Sequence, residues 1–178
     1  MPPNSSPADP YPRITGEVMD VRHPDPLVLV RTPEAPRLRT GADAHYIVGA
    51  PYRVAYRLRG EVRWRAVTVP EGMLTDLASV PRLARGLVGR MGSHLEAAIV
   101  HDYLYLAWQD RPDGTARAQE RRFADELMWA AMRRGRVGRL KAWTIYAAVR
   151  LFGGWAYRDP ERIRYAADVA GTTAEVAR

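Results

Sequence analysis

The stretch "SHLEAAIVHDYLYLAW", residues 93–108, decides how the chain reads as a fold. Ser93 followed three residues later by Glu96 has capping-box spacing, so a helix is predicted from about 94 to 109. Within that apolar run stand His101 and Asp102, side by side. Desolvating either charged form is costly without a partner, so the helix must bring polar company to them.

The rest of the second half supplies that company. "RPDGT" (111–115) is a turn, and "TARAQERRFADELMWAAMRRG" (115–135) is a second amphipathic helix, with Phe123, Leu127, Ala130 and Ala131 on one stripe and Gly135 placed to stop it. "GRLKAWTIYAAVRLFGG" (138–154) is a third helix. Connections this short predict antiparallel neighbours.

The first half alternates apolar and polar residues and reads as strands: "RITGEVMDV", "PLVLVR", then "AHYIVGAPYRVAYRLRGEVRWRAVTVP". The class is therefore α+β, a small antiparallel sheet in the N-terminal half packed against a C-terminal antiparallel bundle of about three helices. The domain is expected to span 14–158. "MPPNSSPADPYPR" (1–13) reads as a disordered arm and 159–178 as a tail.

In the central hairpin, Val54, Tyr56 and Leu58 alternate with Arg53, Arg57 and Arg59, while Trp64 and Ala66 alternate with Arg63 and Arg65. Keeping the apolar sets on one face requires a three-residue loop, Gly60 to Val62, with Leu58 opposite Trp64 and Arg59 opposite Arg63. That register lines Arg57, Arg59, Arg63 and Arg65 along one surface, a solvated face or a patch for an anion, lipid headgroup or nucleic acid. No aromatic interleaving accompanies them there, so base stacking is not expected.

With no cysteine among 178 residues, disulfides and thiolate metal sites are excluded. The longest apolar run near the end, "AWTIYAAV" (142–149), is stopped by Arg150 and then Gly153-Gly154, short of the ~20 residues a bilayer span needs. The net charge of +7 comes from an arginine surplus that reads as spread along the chain, a solubility effect able to steer the protein toward nucleic acid, anionic lipid or an acidic partner.

On the first helix His94 and His101 lie seven residues, roughly 10 Å, apart, too far to share one metal ion. His101 and Asp102 point about 100° apart and suit adjoining tasks, imidazole on a water and carboxylate on a cation. Tyr105 lies one turn beyond His101. Asp125 on the second helix is placed to meet His101 and fix its tautomer. Upstream, "EGMLTDLASVPRLARG" (71–86) reads as a loop entering a short helix, with Ser79 as cap and Pro81 in the first turn. Asp76, the Leu77 carbonyl and Asp102 would form an oxygen set for calcium or another divalent cation if that loop folds over the helix.

Together "VPEGMLTDLASVPR", "AAIVHDYLY", "ADELMWAAM" and "WTIYAAVRLFGG" resemble a phage- and prophage-associated family of unknown function, over roughly residues 65–156. That resemblance implies the cytoplasm of a bacterial host or a virion as its setting, and virion proteins as partners. "HDYLY" is also similar to the His-Asp-x-x-Tyr helix of phospholipase A2. This second resemblance implies His101 as base, Asp102 as calcium ligand, Asp125 as orienting acid, Tyr105 as supporting donor, and Asp76 with Leu77 as the calcium loop. The chain departs from secreted phospholipases in lacking cysteines and a glycine-rich calcium loop.

Three functions follow as expectations: metal-assisted hydrolysis of an ester or similar bond on an anionic substrate, a virion or assembly component, or a nucleic-acid-binding accessory protein. In the second, His101 bonds Asp125 and Asp102 bonds Arg82 or Arg122 as a buried scaffold. Tyr105, Trp108, Trp129 and Trp143 are expected to be core or interface aromatics.

Overall fold

The computed structural model describes residues 9–13, 16–31, 46–75, 94–160 and 165. Within them six strands, β1 (Val18–Arg22), β2 (Leu29–Arg31), β3 (Tyr46–Val48), β4 (Tyr52–Leu58), β5 (Arg65–Val69) and β6 (Leu74–Thr75), precede three helices, α1 (Leu95–Leu106), α2 (Ala118–Arg134) and α3 (Arg139–Arg158). The class is α+β, as the patterning predicts. Instead of one sheet there are two, both antiparallel and three-stranded, ordered β1-β4-β5 and β2-β3-β6.

β4 is the central strand of the first sheet, and its alternation has the expected consequence: Tyr52, Val54, Tyr56 and Leu58 are buried. The partner strand differs from expectation. Val54 pairs with Val67, Ala55 with Ala66 and Tyr56 with Arg65, one residue away from the three-residue-loop register. A one-residue slip exchanges faces, so Val67 and Val69 point inward while Ala66 is exposed.

The physical reason lies in Trp64 and Arg65. Trp64 lies under the guanidinium groups of Arg22 and Arg57, at 4.1 and 5.4 Å from its ring centre. Arg65, beside Tyr56, is held by Glu61 through two hydrogen bonds of 2.8 and 2.9 Å. A cation over an indole face and a forked carboxylate pair let both residues leave the positions their polarity suggested. The four arginines consequently do not form one row, and the patch does carry an aromatic ring.

α1 is buried almost all round: Ala97, Ile99, Val100, His101, Asp102, Tyr103, Leu104, Tyr105 and Leu106 are all inaccessible. A helix apolar on every side belongs in the interior, and burying a leucine such as Leu104 contributes about 1.5–3 kcal/mol. Its N-cap is His94, with no side-chain cap bond. That is one residue beyond the predicted cap, Ser93, which lies outside the described residues. A 3-10 turn, Ala107–Asp110, leads out of α1.

α2 ends where predicted, at Gly135, whose N–H donates to the Ala131 carbonyl at 2.8 Å. It packs against α1, α3 and β1, and the Tyr56 and Phe123 rings meet at 5.1 Å between sheet and helix. α3 continues through Gly153-Gly154 to Arg158. The two glycines interrupt the apolar run without ending the helix. Side chains from α1 and α2 occupy the space a Cβ would take at each, Tyr105 at Gly153 and Arg121 at Gly154.

Two outlying segments join this body. Tyr11, within the stretch read as an arm, is buried and its hydroxyl donates to the Leu104 carbonyl. Tyr165, beyond the expected domain end, bridges to Met73, and its hydroxyl donates to Asp110 at 2.7 Å.

Candidate active site

Helical spacing and the short α1–α2 connection bring the predicted residues together. His101 Nε2 lies 3.0 Å from Asp125 Oδ1, and the Tyr105 hydroxyl donates to the same oxygen at 2.7 Å. His101 and Tyr105, one turn apart on α1, hold their rings 4.1 Å apart, both reaching one carboxylate of α2. α3 completes the cluster with Arg150, whose Nη1 donates to Asp125 Oδ2 at 2.9 Å. Arg121 Nε stands 3.7 Å from Oδ2, and an Arg121 Nη2 hydrogen bond to the Arg150 carbonyl, 2.5 Å long, locks the two arginines together.

Burial is near complete: Asp125 is 0% and His101 3% exposed. Burial pushes the Asp125 carboxyl up, but the hydrogen bond and charge of His101, with the bonds from Tyr105 and Arg150, outweigh it and hold it below the ordinary value of 3.8. Burial and the neighbouring Asp125 raise the Tyr105 hydroxyl above 10.0, keeping it a donor. An ionised Asp125 only accepts, so Nε2 of His101 carries a proton and a neutral imidazole has its lone pair on Nδ1. Among the described residues no hydrogen bond reaches that Nδ1.

His101 also borders a small slot of about 10 Å³, lined further by His94, Ala98, Met128, Met132, Ile145 and Val149. One water fills such a volume. A larger groove of about 750 Å³ runs along a different face of α2, lined by Tyr11, Arg122, Glu126, Trp129, Trp143 and Tyr146, and holds no member of the cluster.

Asp102 turns away from His101, as the 100° step requires, and its Oδ2 accepts from the Thr75 hydroxyl at 3.2 Å. Asp76 and Leu77, the expected cation partners, lie outside the described residues, as do Ser79, Pro81 and Arg82. Thr75 precedes Asp76 directly in sequence. Among the described residues no group of three His, Asp or Glu side chains suits a metal ion. They provide one carboxylate, Asp102, toward the oxygen set. Arg122 bonds Glu126 at 2.8 Å and Thr75 bonds Asp102, while Arg82, the other partner expected for Asp102, is outside the described residues.

The arginine patch disperses. Arg57 faces Asp20 at 3.7 Å, Arg59 faces Glu17 at 2.8 Å and Arg65 is tied to Glu61, while Arg63 is exposed.

Sequence reasoning missed Arg150, Thr75 and Gly153. A signal existed for the first, since Arg150 interrupts an apolar helix just as His101-Asp102 does. Gly153 is explained by Tyr105: a Cβ there would lie 2.6 Å from the Tyr105 oxygen. Gly153→Ala should therefore destabilise the protein by about 1–2 kcal/mol despite alanine's better helix propensity. In a Tyr105→Phe background the same change should be neutral or stabilising, a coupling that urea unfolding of the four variants reads directly.

The fold and this cluster define a small α+β protein built on a His-Asp-Tyr-Arg network that ties three helices together. The chain belongs to the family described as "Protein of unknown function (DUF1353)", whose model matches residues 52–149, from β4 into α3. No curated protein and no solved structure matches it.

Proposed function

We propose that the chain is a hydrolase of ester or similar bonds in which His101 is the general base and Asp125 its orienting acid. The observation that carries this reading is the polarity of the imidazole: Nε2 is committed to an ionised Asp125 that Tyr105 and Arg150 also hold. That leaves Nδ1 as the basic nitrogen. In the proposed step a water proton passes to Nδ1 while the water oxygen attacks the acyl carbon. The proton then returns to the leaving oxygen as the carbon–oxygen bond breaks. The slot beside His101 has room for one water, the nucleophile of this step, among apolar side chains. The phage setting and a divalent cation on Asp102 belong to the same proposal. Calcium, magnesium and manganese titration of wild type and Asp102→Asn tests the cation separately.

Full-length protein with aryl esters of increasing chain length provides the main test. His101→Asn should lower the rate by roughly 100-fold or more while circular dichroism stays native. A wild type inert toward every ester, or an undiminished variant, would overturn the reading. The 3% exposure of His101 favours a second reading, an assembly component in which the network is a scaffold. There His101→Asn costs stability and no activity exists to lose, and virion proteins copurify with the chain.

A further inference from the structure

α3 is apolar on two sides. Ala142, Ile145, Val149 and Tyr157 are buried against the body, yet Leu140 (78%), Trp143 (60%), Leu151 (75%), Phe152 (60%) and Trp155 (74%) face solvent. At 100° per residue Leu140, Leu151 and Trp155 fall within about 60° of one another, with Trp143 and Phe152 flanking them. Scattered exposed leucines are ordinary, but five large apolar side chains along one helix are a surface with a partner.

Charge says which partner. Residues 127–158 contain Arg133, Arg134, Arg136, Arg139, Lys141, Arg150 and Arg158 and no acidic residue. The chain has 27 Lys and Arg against 20 Asp and Glu, so removing these seven leaves 20 against 20. The whole net charge of +7 thus sits in this one segment, not along the chain as the overall composition suggests. Arg150 is committed to Asp125. Arg133, Arg134, Arg136, Arg139 and Arg158 are exposed and Lys141 half-buried, bordering the apolar face at its start and end.

We propose that this face of α3 docks on an anionic lipid surface, its leucines and aromatic rings entering the headgroup boundary and its flanking cations meeting lipid phosphates. The mixture of Trp, Leu and Phe with Arg and Lys and no acid is the chemistry of helices that lie in a membrane interface. No described helix is long and apolar enough to cross a membrane, which fits lying on the surface. A second copy is the poorer occupant, since a two-fold contact would set this cationic segment against itself. The inference is independent of the hydrolase reading.

Vesicle cosedimentation of the full chain tests it, with phosphatidylglycerol–phosphatidylcholine mixtures against pure phosphatidylcholine. Binding should appear on the anionic vesicles, fall steeply between low and high salt, and drop roughly tenfold or more in Leu151→Ser/Trp155→Ser. The substituted side chains are exposed, so circular dichroism should remain native. Absence of binding to anionic vesicles at low salt overturns the proposal. So does binding undiminished by the double substitution, which would mean charge adsorption alone, or a dimer in sedimentation analysis that the double substitution disperses.

Discussion

Replacing Asp125 by alanine should cost about 3–5 kcal/mol of unfolding free energy, the largest loss expected from a single side chain of the cluster. Asp125 is fully buried and receives His101, Tyr105 and Arg150 from two other helices. Its removal leaves a buried imidazole and hydroxyl without their acceptor, while the partly exposed Arg150 guanidinium can turn to water. Asp125→Asn keeps the shape and one acceptor but turns a donor toward Arg150, so an intermediate loss is expected. Chemical denaturation of the three proteins measures this, and a loss below about 1 kcal/mol for alanine would show that the helices are held by packing alone.

The same carboxylate sets a pH dependence with a definite sign. Its folded value is held below 3.8, so the unfolded chain takes up the proton first as pH falls. The stability it contributes is complete above the unfolded value and is lost as pH drops through the folded one. Wild type should therefore weaken on acidification below about pH 4, and Asp125→Asn should lack that share of the slope.

Glu120→Ala should also be damaging, by about 2–3 kcal/mol, in the first turn of α2. Glu120 is 5% exposed and takes both Nη atoms of Arg111, one at 3.0 Å, along with Arg117 and the Tyr157 hydroxyl, each at 3.3 Å. Arg111 is itself buried and lies over the Tyr11 ring at 5.4 Å. Loss of the carboxylate takes from the Arg111 guanidinium its bidentate partner and leaves it the Thr115 carbonyl, with Asp113 at 3.5 Å and Asp9 at 3.9 Å. Glu120→Gln keeps one acceptor for Arg111 and should lose about half as much. Equal unfolding midpoints for wild type and Glu120→Ala would remove this ion pair from the account of the fold.

The helices and the meeting of His101, Tyr105 and Asp125 were legible in the sequence because both depend on local rules. A 3.6-residue period places His101 and Tyr105 on one face, and a short turn returns the chain beside itself with Asp125 in reach. The hairpin register was not legible, because Trp64 and Arg65 present polarity opposite to their final faces. Their positions are set by Arg22 and Arg57 around the ring and by Glu61 beneath the guanidinium, partners that polarity alternation does not encode. Gly153-Gly154 read only as a break in an apolar run for a similar reason, since the demand for glycine comes from Tyr105 and Arg121 on neighbouring helices.

By itself, then, the order of residues determined an α+β class, three helices and a buried histidine with an acid behind it, since periodicity, turn chemistry and the cost of burying charge act along the chain. Only the tertiary structure decided that two sheets form, that Arg150 joins Asp125 and Thr75 joins Asp102, and that among the described residues one side of α3 stays uncovered. Those outcomes rest on which surfaces exclude water from one another, and that is a property of the folded shape.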